Sequence, residues 1–277
     1  MKIGCNLLLW TSRLTAEHLP ILRMLKSLGY DGVEVPMFTG TAADYKSSGQ
    51  MVADEGLSAA AIGTLPTGCD PLSDDAATRT NATNHLKWLV DCANALSADV
   101  IAGPFHQPLG QFTGAGITRR EWDRMVACQT VMATYAPMRL AIEPLNRFEC
   151  YALNTAADAA RLVAEVNRPN YGFLYDTFHA NIEERDPVVA LTATLPSVTH
   201  FHVSENDRGT PGLGHAAIIP ALRALKAARY DHWISVEAFG QALPDLAATT
   251  KIWRPLFTSE AQLVKDAIQL IRHAWHD

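Results

Sequence analysis

Cysteine is scarce in this 277-residue chain. Its five cysteines, Cys5, Cys69, Cys92, Cys128 and Cys150, are odd in number and no two are close in sequence. That argues against a disulfide framework and a zinc knuckle, and for buried thiols in a reducing compartment. Basic charge is also short: 23 Lys and Arg stand against 29 Asp and Glu, a formal net charge of −6. A phosphate backbone needs a basic face, so no nucleic-acid partner is expected. Long apolar runs are missing too. Met1–Trp10 is too short to span a membrane and lacks a small-residue cleavage pattern, so it reads as a first buried strand and the protein as cytoplasmic. No G-x-G-x-x-G follows that strand, and neither a linker-like nor a low-complexity stretch interrupts the chain.

What is present is a rhythm of short apolar run, loop and amphipathic segment. The strands expected are Lys2–Leu9, Asp31–Val35, Leu57–Ile62, Asp99–Ala102, Met138–Glu143, Tyr171–Asp176, Val198–Val203 and His232–Glu237. Between them helical spacing marks Leu19–Leu28, which stops at Gly29, then Ala42–Glu55, Asp74–Leu96 and Thr118–Tyr135. Thr155 with Asp158 three residues on resembles a capping box. Pro187–Leu195, Ala216–Ala228 and Leu263–Trp275 complete the set. Strands alternating with helices imply a parallel sheet, and eight such units in a chain near the usual ~250 residues fit a single (β/α)8 TIM barrel over residues 1–277. A doubly wound open sheet is the rival. In a barrel, Gly63–Ser73 and Gly103–Gly116 fall on the catalytic face and suit a substrate lid. The segment Gly240–Phe257 and the final helix serve either an interface or a cap.

Four of the strands end at or near a metal-ligand residue: Glu143, Asp176, His202 and Glu237, which lie 33, 26 and 35 residues apart. One βα unit takes about 30 residues, so the spacing delivers one ligand per strand to one end of the sheet. Three carboxylates buried together repel unless a cation joins them. With one imidazole they suit Mn²⁺, Co²⁺ or Mg²⁺. Glu149, His179 and Arg208 belong to the loops beyond these strands and suit hydroxyl and carbonyl recognition. Equally, Arg208 pairs with Glu205 or Asp207, and Glu149 caps a loop. His200 shares the His202 face one pleat back and reads as a packed histidine. His106 either reaches substrate or sits in water, with the solvated reading preferred. Trp10, Phe105 and Phe112 either wall a sugar pocket or pack ordinarily.

The stretches Glu143-Pro-Leu-Asn-Arg-Phe-Glu149, Tyr175-Asp-Thr-Phe-His-Ala-Asn-Ile-Glu-Glu184, His200-Phe-His-Val-Ser-Glu-Asn-Asp-Arg208 and Val236-Glu237, with Phe239 beyond, resemble the ketose 3-epimerases. That family includes D-tagatose, D-psicose (allulose) and L-ribulose 3-epimerases, within the xylose-isomerase-like barrel superfamily. The resemblance runs through most of the chain and is strongest in its second half. The first half departs at Asn6-Leu-Leu8, Ile62-Gly-Thr-Leu-Pro66 and the Phe105-His-Gln-Pro loop, which shape the far end of the sugar pocket.

The resemblance implies one divalent ion, Mn²⁺ first, on Glu143, Asp176, His202 and Glu237. It implies Glu143 and Glu237 as the acid/base pair, with Glu149, His179 and Arg208 binding substrate. It implies a dimer or tetramer acting on a small-molecule sugar. The expected reaction is C3 epimerisation of a free ketose by proton exchange through a cis-enediolate. Aldose–ketose isomerisation and dehydration of an inosose-type ketone on the same scaffold are the alternatives. A phosphorylated substrate is disfavoured because no Gly-rich or Lys-rich anion cradle follows the last two strands.

Overall fold

The computed structural model describes residues 1–276. Eight strands close into a parallel barrel in chain order: β1 (Lys2–Asn6), β2 (Gly32–Met37), β3 (Ser58–Gly63), β4 (Val100–Gly103), β5 (Arg139–Ile142), β6 (Tyr171–Asp176), β7 (Val198–Val203) and β8 (Trp233–Val236). The seam pairs β1 with β8 from Lys2–Trp233 to Cys5–Val236. Around it lie α1 (Leu19–Leu28), α2 (Ala42–Asp54), α3 (Ala76–Leu96), α4 (Arg119–Tyr135), α5 (Ala156–Val166), α6 (Thr177–Glu183), α7 (Pro187–Thr194), α8 (Ile218–Ala227), α9 (Pro244–Thr250) and α10 (Glu260–His276). This is the (β/α)8 barrel expected, not an open sheet. No described helix is long and apolar enough to cross a membrane.

Strand alternation divides the core in two. Val33, Val35 and Met37 of β2 point outward and join the helix residues Leu22, Leu25, Leu86 and Leu89. The opposite face supplies a separate inner cluster of Ala60, Ile62, Val100, Ala102, Ala141, Leu174 and Trp233. Trp233 fills the narrow N-terminal end, where a Cβ on Gly4 would lie only 2.8 Å from its ring. The residue needed there is one without a side chain. With the floor plugged, polar groups are left for the C-terminal mouth.

Local chemistry sets the element ends. Gly29 closes α1 at φ 92°, a left-handed conformation that glycine adopts without strain. Thr155 caps α5, its hydroxyl accepting from the Asp158 N–H. The first strand stops three residues short of the expected Leu9. The Asn6 side chain accepts from the Leu8 N–H at 3.0 Å and turns Leu7–Leu9 into a 3₁₀ turn. Two helices were not expected. Asp176 caps α6 through the Phe178 N–H at 2.6 Å, so the chain turns helical immediately after β6. In Gly240–Phe257, α9 forms, and Ala247 and Ile252 pack on the inner cluster, so the segment caps the barrel.

Candidate metal and substrate site

Each of the four strand-end residues is held by backbone pairing that carries it into the mouth. Glu143 follows β5 and still donates its N–H to the Gly103 carbonyl at 3.0 Å. Glu237 follows β8 and donates to the Val203 carbonyl at 3.1 Å. Asp176 ends β6, and His202 is the penultimate residue of β7. One donor atom from each of the four lies within 4.8 Å of the others, and all four side chains are buried.

Charge balance in this cluster is tight. Arg208 Nη1 donates to Asp176 Oδ2 at 3.1 Å, to Glu237 Oε2 at 2.8 Å and to Ser204 Oγ at 2.9 Å. Its guanidinium lies 3.7 Å from the Phe178 ring centre and 4.9 Å from that of Phe239. Burial alone would raise Asp176, but the Arg208 charge and the adjacent His202 ring hold it well below the usual carboxylate range. Burial and the Glu237 charge push Glu143 upward. Burial would lower His202; the charges of Glu34 and Glu237 raise it instead. The donor set fits a divalent cation: three carboxylates, one imidazole, and a His202 Nδ1 with no hydrogen-bond partner among the described residues, 3.5 Å from both Asp176 Oδ2 and Glu237 Oε1.

His179 lies on α6 and not in a loop, because Asp176 starts the helix. The Asn146 N–H donates to His179 Nδ1 at 3.0 Å, which turns that nitrogen to the loop after β5. Nε2 faces the site, 3.6 Å from Glu143 Oε1 and 3.0 Å from Arg208 Nη2. Burial, with the Arg208 charge, brings His179 down to about 3, so the ring is neutral. Glu149 accepts from Asn146 Nδ2 at 2.8 Å and is partly exposed. Asn146 therefore links Glu149 to His179, and His179 to Arg208. Arg208 does not pair with Glu205 or Asp207. Glu205 organises its own loop instead, accepting from the Asn206, Gly212 and Ala216 amides.

Other expected residues fall differently. His106 is fully buried, not solvated, and burial lowers it to about 4. Gly103, at φ 126°, turns the chain inward, and Gln129 Nε2 holds the Phe105 carbonyl at 3.0 Å. Phe105 itself is core, Trp10 packs partly buried against the core, and Phe112 is half-exposed. The aromatic faces here are Phe178 and Phe239. His200 is a packed histidine, as expected, but its partner was not foreseen. Glu34, from the middle of β2, accepts from His200 and His202. Its only sequence signal is a lone acid in the apolar run Gly32-Val-Glu-Val-Pro36.

Comparison with known proteins identifies the family of this barrel. The family model for the xylose isomerase-like TIM barrel matches residues 22–273. A ketose 3-epimerase of Arthrobacter globiformis is 30% identical over 279 residues, covering 98% of this chain and 96% of that protein. A probable ketose 3-epimerase of Synechocystis sp. is 28% identical over 99% of this chain and 97% of its own. Among solved structures, an L-ribulose 3-epimerase superposes with a TM-score of 0.93 at 28% identity, over 99% of this chain and 94% of that one. A D-allulose 3-epimerase from Methylomonas sp. in complex with D-allulose superposes with a TM-score of 0.92 at 26% identity, over 99% and 97%.

Proposed function

The chain belongs to the xylose isomerase-like TIM barrel family, among its ketose 3-epimerases, and is an isomerase; from that premise we propose that it epimerises a free ketose at C3 by a metal-dependent proton exchange. The observation that carries this reading is the convergence of Glu143 and Glu237 on one buried cluster with Asp176 and His202. A divalent ion held by these four, Mn²⁺ in the first instance, supplies Lewis-acid polarisation of the ketose oxygens.

The protein's own groups do the rest. A C–H beside a ketone is weakly acidic, so its removal needs a placed base and its return on the other face a placed acid. Glu143 and Glu237 come from strands three apart in a closed barrel of eight, which suits one carboxyl on each side of C3. Each removes the proton from one epimer and returns it to the other through a cis-enediolate. The elevated proton affinity of Glu143 fits a group that takes up and returns a proton on its own face of C3. Arg208 donates, with His179 Nε2 beside it; together they fix the C1 and C2 oxygens. Glu149 accepts from the O1 hydroxyl. The ring faces of Phe178 and Phe239 hold Arg208 so that this register does not drift.

The test is proton NMR in D₂O with Mn²⁺ supplied, against a panel of free ketohexoses and ketopentoses. Deuterium at C3 with a new C3 epimer is expected. Deuterium at C1 with an aldose product would show an aldose–ketose isomerase, and loss of water from an inosose a dehydratase. No exchange with any sugar would overturn the proposal.

A further inference from the structure

Below the mouth, His202 also belongs to a buried acid–imidazole set whose other two members the reaction above does not use. Glu34 projects inward from β2 and is fully buried with His200 and His202. Its Oε1 and Oε2 lie 3.2 and 3.1 Å from His202 Nε2, and Oε1 also meets His200 Nε2 at short range. β2 and β7 are not neighbours in the barrel, so these bonds cross its interior. The contact therefore does not come from sheet pairing. It needs an acid in the middle of one strand and two imidazoles, alternate residues of one strand, opposite it.

Tautomer logic gives the set a direction. A carboxylate only accepts, so each Nε2 that faces Glu34 carries its hydrogen. In the neutral form of His202, the form that can ligate a metal, this leaves Nδ1 as the nitrogen with the lone pair. Nδ1 is the atom turned toward Asp176 and Glu237, at 3.5 Å from each, and it has no hydrogen-bond partner among the described residues. His200 is the second anchor. Its bond to Oε1 keeps the carboxylate from rotating, and its own ring lies 6.4 Å from the Trp233 ring at 23°.

We propose that Glu34 is a positioning residue: it fixes His202 in the tautomer and ring orientation whose Nδ1 ligates a divalent cation, with His200 holding Glu34 in place. The assignment rests on the metal-dependent reading above. It gives Glu34 no contact with substrate. A separate cation site on Glu34, His200 and His202 is not favoured, because both Nε2 atoms already face the carboxylate and carry hydrogen.

The test measures Mn²⁺ affinity by isothermal titration on chelator-stripped, folded protein. Wild type is expected to bind one ion per chain. Glu34→Gln is expected to bind one ion roughly 10–100-fold more weakly, with turnover recovering at saturating Mn²⁺, because an amide offers one acceptor oxygen where two imidazoles need one each. A merely structural role would lower the melting temperature of the stripped protein and leave the affinity of the folded fraction unchanged. That result, with wild type binding normally, overturns the Glu34 assignment alone. Two ions in wild type and one in Glu34→Gln would overturn it differently, by making Glu34 a ligand. No Mn²⁺ binding by wild type would remove the metal reading on which the assignment rests. Should Glu34→Gln fail to fold, His200→Asn carries the same test, with a smaller loss of affinity expected and an unchanged affinity counting against the proposal.

Discussion

Asn6 Nδ2 donates to Glu237 Oε1 at 2.9 Å, joining the end of β1 to the residue just beyond β8. Arg208 Nη1 holds the other oxygen, Oε2, at 2.8 Å. Both oxygens of Glu237 are thus engaged, and its carboxylate plane is set from two sides. The same Asn6 uses its carbonyl oxygen to cap the 3₁₀ turn that ends β1. One residue shapes the chain and orients the carboxylate.

These two roles separate by substitution. Asn6→Ser keeps a capping oxygen but is too short to reach Glu237. Stability should change by less than about 1 kcal/mol, because the cap survives. Turnover should fall by roughly tenfold or more, the value of a lost hydrogen bond to a charged group. Urea unfolding beside steady-state kinetics checks this. Unchanged turnover would show that the Asn6 bond does not matter to Glu237.

Arg208 neutralises Asp176 and Glu237 in the absence of a metal ion. Arg208→Met leaves those carboxylates buried and unpaired, at a cost of about 3 kcal/mol in the stripped protein. A bound divalent cation neutralises the same two groups. The rise in melting temperature on adding Mn²⁺ should therefore be larger in Arg208→Met than in wild type. Differential scanning fluorimetry at matched Mn²⁺ concentrations decides. An equal or smaller rise would show that Arg208 and the ion do not share those carboxylates.

Stability should also depend on pH through His85. Its Nε2 meets the Thr64 carbonyl at 3.0 Å, and burial lowers its proton affinity despite that bond. The folded value is thus below the unfolded one of about 6.5. Protons then bind the unfolded state more tightly, so the contribution is complete above about pH 6.5 and is lost as pH falls through the folded value. Glutamine at position 85 still donates to Thr64 but does not titrate. Urea midpoints at pH 7.5 and pH 5.0 should differ less in His85→Gln than in wild type. An identical pH dependence would remove His85 from the account.

The site was legible in the sequence where one strand contributes one residue at its end. Glu143, Asp176, His202 and Glu237 share that position, so their spacing alone brings them to one mouth. Residues whose partners come from across the barrel were not legible. Glu34 meets His200 and His202 only after the sheet closes, and nothing near it in sequence marks it as more than a lone acid. His179 reads as a loop residue in sequence because the Asp176 cap, which starts α6 at once, is a side-chain effect in a helix of seven residues. In sequence, Pro and Gly around His106 signal a solvated loop; its burial depends on the turn at Gly103 and on Gln129 from α4. The strand order, by contrast, needed only the alternation of patterns, since eight parallel units leave few ways to bury both faces.

The acid/base roles make the sharpest prediction. If Glu143 and Glu237 stand on opposite sides of C3, each handles the C3 hydrogen of one epimer only. Glu237→Gln keeps the shape of the side chain and one neutral oxygen for a cation, but it cannot take a proton. Net epimerisation should fall by ~10³-fold, at the scale of a lost general acid or base. Solvent exchange need not vanish with it. In D₂O the epimer whose C3 hydrogen faces Glu143 should still acquire deuterium without inverting, while its partner epimer stays protonated. Glu143→Gln should reverse the assignment. Proton NMR of the two epimers with each variant, at saturating Mn²⁺, reads both halves. Exchange of both epimers by either single variant would mean that one carboxylate serves both faces, and the two-base arrangement would have to be abandoned.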